Sequence, residues 1–298
     1  MTGVSTPLLI EQRFPLDLDE SNAAIRALYE AGKSAHWDPF RDVDWAALAA
    51  LPLAPEVRQA ARLAYSRRLW QEYTGLSETP ALLIRFCLET GRSADPKYFL
   101  TVRNTEEAWH IECFHATAQA FGGALSEPAS GRFAQVFNQR RHTAALDAKA
   151  SLDAYVATHC ALEDELELRL AEAALATATI PALRAMWMRI VADKRRHAEF
   201  GWLFVASRGP SWNEAEKNRV IDSIKSFVDS VVGGGYHCVT LAPAGVADEF
   251  AAAEAIIATA GLGGVGREAE RAAWRTTLVF AGERLSQVGV TLPAVLTV

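Results

Sequence analysis

Apolar residues recur along most of this chain at three- and four-residue spacing, and the alternating β-branched runs that mark strands are nearly absent. The pattern predicts a helix near 20–35, then WDPFRDVDW and LPLAP as turns with a short helix. Four long helices follow. The first is opened by Pro55 and runs from 56 to about 90, with Gly91 as its stop. The second starts at Asp95-Pro96 and ends at Gly122-Gly123, and the third covers about 143–176. The fourth is opened by Pro181 and ends near Gly209-Pro210. A further helix covers 213–232, the three glycines at 233–235 break the pattern, and two more helices follow at about 246–260 and 267–287.

The four long segments exceed the usual helix length of about 11–12 residues, and each presents an apolar stripe. On the first it is Tyr65, Leu69, Leu76 and Leu83; on the fourth, Trp187, Ile190, Val191, Ala198 and Gly201. The expectation is an all-α chain: an antiparallel four-helix bundle within 56–232, an N-terminal helical extension over 1–55, and C-terminal helices over 233–298 packed on the bundle. A ligand site in such a bundle is built from side chains that project inward from facing helices.

Two polar segments interrupt these stripes. The second long helix holds Glu106-Glu107-Ala108-Trp109-His110, and the fourth holds Asp193-Lys194-Arg195-Arg196-His197. Glu107 and His110 are three apart and share a helix face, so together they offer oxygen and nitrogen donors to one cation of the iron or manganese type. A lone pair of this kind occurs often by chance. Its repetition at equivalent places on two helices has the twofold logic of a dinuclear site. On the third helix Glu163 is the inward carboxylate, with Glu165 and Glu167 expected toward the polar side. On the first, Glu72 shares its face with the apolar stripe, and Glu78, on a wetter face near Pro80, is the reserve.

With these residues in view, the chain resembles the ferritin-like dinuclear non-haem iron oxygenases and oxidases, whose signature is Glu, Glu-x-x-His, Glu, Glu-x-x-His on four successive helices. RRLWQEY around Glu72 looks most like the arylamine N-oxygenases and multicomponent hydroxylases, and DKRRHAEFGW resembles the acidic run of the fourth helix. The resemblance covers roughly 56–208 and implies Glu72, Glu107, His110, Glu163 and His197 as metal ligands. It makes Glu106 and Asp193 the carboxylates that orient the histidines. Where the pattern has its last ligand Glu, this chain has Lys194, on the apolar face and so expected to point inward. The implied cofactor is iron, one or two ions, or manganese, with none as the limit set by Lys194. Fewer than two ions are expected on this ligand set.

The implied activity is oxidation of a small organic substrate with dioxygen. Electrons would come from a donor or from the substrate, since no flavin or nicotinamide motif is visible. Lys194 would be a neutral ligand, a proton donor, or an anchor for a substrate carboxylate. The competing reading is a metal-free binding or structural subunit, or a cofactorless enzyme, in which the Lys194 ammonium salt-bridges the former ligand carboxylates. Iron storage suits the extra terminal helices poorly. A homodimer is one assembly open to the chain, and the sequence does not fix the oligomeric state.

Composition narrows the rest. Of 298 residues half are hydrophobic, the net charge is −6, and the two signs are interspersed. No Lys/Arg run follows a phosphate backbone, so nucleic acid is not an expected partner. Cys87, Cys113, Cys160 and Cys238 are far apart with no CxxC pair, which fits a reducing cytosol. No basic, apolar leader opens the chain, and no apolar run is long enough to span a bilayer. His159 reads as a core or orienting histidine, while His115, His142 and His237 read as ordinary. Tyr73 and Tyr155 read as packing. The six residues GLGGVG at 261–266 have the letters of a dinucleotide fingerprint but follow a helix, not a strand, and read as a flexible turn.

Overall fold

The computed structural model describes residues 18–19, 21–89, 93–138 and 141–293. The opening 17 residues, the expected helix start at 20 and the stop at Gly91 lie outside the described residues.

Three short helices lead in: α1 Ala23–Ser34, α2 Pro39–Asp42 and α3 Trp45–Ala49. Each is capped by the residue before it, Asn22, Asp38 and Asp44, whose side-chain oxygen accepts backbone N–H groups of the first turn. The first bundle helix, α4 Pro55–Gly75, opens on proline as expected. It does not continue to 90. It stops at Gly75, and α5 Glu78–Leu88 restarts after the two turn residues Leu76 and Ser77. Pro80 is the physical cause: its ring removes an N–H and clashes with the carbonyl four residues earlier, at Leu76. Thr74 adds to this by donating its hydroxyl back to the Trp70 carbonyl at 2.9 Å.

The second bundle helix, α6 Ala94–Ala120, follows expectation. After the short helices α7 Gly131–Phe137 and α8 Arg141–Leu146, the third bundle helix begins later than expected, at 152 rather than 143. Buried Arg85 reaches across from α5 and donates to the carbonyls of Ala145 and Ala150, which holds the intervening turn. The Ser151 hydroxyl then caps α9 Leu152–Tyr155. From there the helix widens into a π-helix over Val156–Glu163 before resuming as α10 Asp164–Thr177.

The fourth bundle helix, α11 Pro181–Arg208, packs on this widened stretch. Gly201 makes the approach feasible, since a Cβ there would lie 1.8 Å from the Cys160 carbonyl oxygen. The chain continues through α12 Glu214–Phe227, a π-turn Val228–Val232, α13 Asp248–Thr259 and α14 Arg267–Ser286. The C-terminal helices close one side of the bundle. Arg67 and Arg68 of α4 both pair with buried Glu254 of α13, at 3.2 and 2.6 Å.

The glycine-rich segment at 261–266 is a turn, as read, but a fixed one. Tyr65 donates its hydroxyl to the Leu262 carbonyl at 2.8 Å, and Arg68 donates to the Gly263 carbonyl at 3.0 Å. The described residues contain helices and one isolated β-bridge, Ala178 with Leu262, and no helix among them is long and apolar enough to cross a membrane.

Candidate metal centre

Glu72, Glu107 and Lys194 enter the bundle interior from α4, α6 and α11, and Glu163 and Glu167 from the third bundle helix. These five line one cavity of about 40 Å³, with Arg103, Asp164, Glu78 and His159. His110 and His197 are fully buried beside it, with ring centroids 6.0 Å apart.

His110 and His197 are held by carboxylates of the opposite motif. The Nε2–H of His110 donates to Asp193 Oδ2 at 3.2 Å, and that of His197 donates to Glu106 Oε2 at 2.9 Å. Arg196 ties both carboxylates together. Trp37, from the turn before α2, also donates to Asp193 at 3.0 Å. No sequence signal marked Trp37, because it lies outside the bundle's periodic segments.

The His110 Nδ1 atom is buried without a hydrogen-bond partner and faces Glu72 Oε2 at 3.7 Å, too far for a hydrogen bond. Glu107 is half satisfied. Its Oε1 accepts from Thr79 at 2.8 Å and Arg103 at 2.9 Å, while its Oε2 is buried and unpartnered. Burial holds the Glu107 carboxyl above its usual range despite Arg103. Burial alone would lower His110, but its hydrogen bond to Asp193 and the nearby Glu72 charge outweigh that and raise it to about 9.

On the other side stands Lys194. Its Nζ donates to Glu72 Oε1 at 2.8 Å and to Glu167 Oε2 at 2.7 Å, with the side chain 6% exposed. Burial works against the ammonium, and the two carboxylates more than offset it, so the group is held charged. In turn, burial would raise Glu72, but the Lys194 charge wins and holds it at about 2. His197 is pushed well below its usual range by burial and by the Arg103 charge. On the His110 side two buried donor atoms, His110 Nδ1 and Glu107 Oε2, lack partners and are open to a cation, although Glu72, Glu107 and His110 do not bring three donor atoms within 4.8 Å of one another. On the His197 side the Lys194 ammonium is already in place.

The third bundle helix departs from expectation. Glu167 is not on the polar side. It lies one turn after Glu163 on the same face and pairs with Lys194. Glu165 is also buried, accepting from Trp202 Nε1 at 3.2 Å. Glu163 faces the cavity, but its short contacts are to histidines: Oε2 to His159 Nδ1 at 2.6 Å and Oε1 to His237 Nε2 at 2.5 Å. His237, read as ordinary, is fully buried within this network. Glu78, the reserve to Glu72, also turns toward it and comes within 3.5 Å of the Tyr155 hydroxyl. The restart at α5 re-aims that carboxylate. Among the described residues, the sets of three potential ligands with donor atoms within 4.8 Å of one another are Glu78–His159–Glu163 and Glu163–Glu167–His237. Tyr73 is exposed on the surface.

A second cavity of about 50 Å³ shares Gln71, Glu72, Glu167 and Lys194 with the first, so the Glu72–Lys194–Glu167 bridge is the partition between them. Its remaining wall is mixed, with Phe114, Leu170, Trp187 and Val265 on one side and Arg67, Arg68 and Glu254 on the other.

No protein-family model matches the chain, and no curated protein matches it. Solved structures do. One is an R2-like ligand-binding oxidase variant with an aerobically reconstituted Mn/Fe cofactor, at 17% identity and TM-score 0.68, covering 90% of this chain and 94% of that one. The R2-like ligand-binding oxidase with its reconstituted metal cofactor after photoconversion matches equally, at 17% identity and TM-score 0.68 with the same coverage. A further variant with the Mn/Fe cofactor matches at 18% identity and TM-score 0.66, covering 90% of this chain and 97% of that one. At such identities the likeness establishes the fold: all-α and ferritin-like.

Proposed function

We propose that this chain is a metal-dependent oxidoreductase that works with one ion on the bundle axis, iron or manganese, and with the Lys194 ammonium standing where a dinuclear centre has its second cation. The observation that carries the reading is the state of His110. Its Nε2–H is fixed by Asp193, and its Nδ1 is left buried and free beside Glu72. Metal-bound histidines have this arrangement, with a carboxylate behind the ring that sets the tautomer. Glu72, Glu107 and His110 would hold the ion. The Mn/Fe cofactor of the structural neighbours supports the metal class.

A redox metal there supplies the capacity to bind and reduce dioxygen. The chain's own residues do the rest. Lys194 keeps a proton at Nζ and a fixed positive charge at the partition between the two cavities. Arg103 holds Glu107 and, at 2.6 and 3.0 Å, Asp164, which restrains the carboxylates around the ion. The second cavity, apolar on one wall, admits only a small organic group at its present volume. The electrons come from a donor or from the substrate.

The alternative is the metal-free reading, favoured by one observation: the Lys194 ammonium already pairs with Glu72 at 2.8 Å and with Glu167 at 2.7 Å. Elemental analysis of chain produced with iron separates them. One iron lost on His110→Gln is expected, with a further, His197-dependent iron gained on Lys194→Glu. No His110-dependent iron would leave the metal-free reading. Two irons in the parent, lost with His110 and with His197 respectively, would refute the role given to Lys194.

A further inference from the structure

We infer that this chain has a second divalent-metal site, formed by Glu163, Glu167 and His237 off the bundle axis. These side chains come from two separate parts of the chain. Glu163 closes the π-helix, Glu167 lies one turn later, and His237 sits in the buried loop after the Val228–Val232 turn. One donor atom from each falls within 4.8 Å of the others. His237 Nε2 is 2.5 Å from Glu163 Oε1, and its Nδ1 is 3.6 Å from Glu167 Oε1. Two carboxylates with an imidazole suit Mn²⁺, Fe²⁺ or Zn²⁺.

The surroundings are built for it. Tyr236, the neighbour of His237, donates its hydroxyl to the Gln71 carbonyl at 2.9 Å, and the Gln71 amide meets His237 Nδ1 at 2.9 Å. These contacts anchor the loop and the ring. Glu163 and Glu167 face one cavity and His237 faces the neighbouring one, so the three donors stand at the wall between two open spaces. Charge favours occupancy too. Lys194 takes Oε2 of Glu167, and Oε1 lies between the Gln71 amide at 3.5 Å and His237 Nδ1 at 3.6 Å.

One carboxylate thus spans an ammonium on one oxygen and a cation position on the other. Glu72 does the same between Lys194 and His110. Lys194 is therefore the central cation of a line, His110–Glu72–Lys194–Glu167–His237, with a metal place at each end. The ammonium that blocks a dinuclear centre on the axis separates two mononuclear ones. Binding through Nε2 places the single imidazole proton of His237 on Nδ1, where the Gln71 amide, turned to present its oxygen, would accept it.

The test uses the full chain stripped by a chelator and titrated with Co²⁺, followed by visible absorption and equilibrium dialysis. The expected result is one equivalent that survives His110→Gln and disappears in His237→Gln and Glu163→Gln. Unchanged circular dichroism and melting would show that these variants fold. In the unmutated chain, the ¹⁵N resonances of His237 should shift on adding Zn²⁺, which requires no substitution. Absence of a His237-dependent equivalent, or a His237 resonance unmoved by Zn²⁺, would overturn the proposal. The His110-dependent equivalent is counted separately, so this site and the axial one fail or hold independently.

Discussion

The two halves of the axial site have matching outer frames and different centres. In each, a histidine on one helix donates its Nε2–H to a carboxylate on the other, His110 to Asp193 and His197 to Glu106, and Arg196 grips both carboxylates. Inside that frame, Glu107 stands three residues before His110, while Lys194 stands three before His197. The half with Glu107 keeps two buried donor atoms without partners. The half with Lys194 has its own cation in place, satisfied at 2.7 and 2.8 Å. The ammonium thus stands in an orienting network matched to that of the other half, and the two halves differ only in what is held at the centre.

Removing the ammonium should break the comparison most strongly. In Lys194→Ala, Glu72 is left 8% exposed with no cation on Oε1, and Glu167, 18% exposed, loses the same partner. Breaking a buried pair from one side costs about 3–5 kcal/mol. Urea unfolding of the metal-free chain should show a loss at the lower end of that range, because Glu167 retains some water. Adding Mn²⁺ should recover part of it by replacing one cation with another. A loss below about 1 kcal/mol would mean that the ammonium does not neutralise the centre.

The frame was legible in the sequence because it lies on unbroken helix. The repeated acidic–x–x–x–His spacing of Glu106–His110 and Asp193–His197 put both histidines and both carboxylates on the right faces, and Lys194 stood out as the departure. Legibility ended where helical phase changed. The π-helix over Val156–Glu163 shifts the phase of the residues before Glu163. Glu167 follows Glu163 by four residues of ordinary helix, so its shared face was readable and was missed. Glu165 is buried against Trp202 of α11, which a wheel of one helix does not show. Pro80 turned Glu78 inward by ending α4 early. His237 follows three glycines and has no periodicity to reveal it. Gly201 was a usable sign, since a glycine on the apolar face of a long helix marks a close backbone approach, here to Cys160.

The pH dependence sharpens the comparison next. In the metal-free chain His110 is raised from 6.5 to about 9. Its contribution to stability is complete below pH 6.5 and disappears as pH rises through 9, a loss on the order of 3 kcal/mol. Metal reverses the sign of the trend in binding, because the ion needs the neutral imidazole and so binds more tightly over the same interval. Urea midpoints at pH 6, 7.5 and 9 should therefore fall in chelator and fall less, or rise, with Mn²⁺. His110→Gln should flatten the chelator series. Parallel series with and without Mn²⁺ would place the ion away from His110.

The smallest expected effect discriminates the halves most directly. Asp193→Asn and Glu106→Gln are equivalent changes to the frame: each removes one negative charge behind a histidine, and each takes one partner from Arg196. If His110 alone is a ligand, only the first should matter to the axial ion. An orienting carboxylate behind a ligand histidine is typically worth 10–100-fold in metal affinity, about 1.4–2.8 kcal/mol at roughly 1.4 kcal/mol per tenfold. Asp193→Asn should weaken the His110-dependent equivalent of Mn²⁺ by that factor, read from the free-ion signal in electron paramagnetic resonance titrations. Glu106→Gln should leave it within about threefold, since His197 sits beside an ammonium and not an ion. Placing a carboxylate at that position with Lys194→Glu should make the two changes costly alike, because His197 then has an ion to orient toward. Equal weakening by Asp193→Asn and Glu106→Gln in the parent chain would mean that His197 already binds metal, and the asymmetry drawn between the halves would be false.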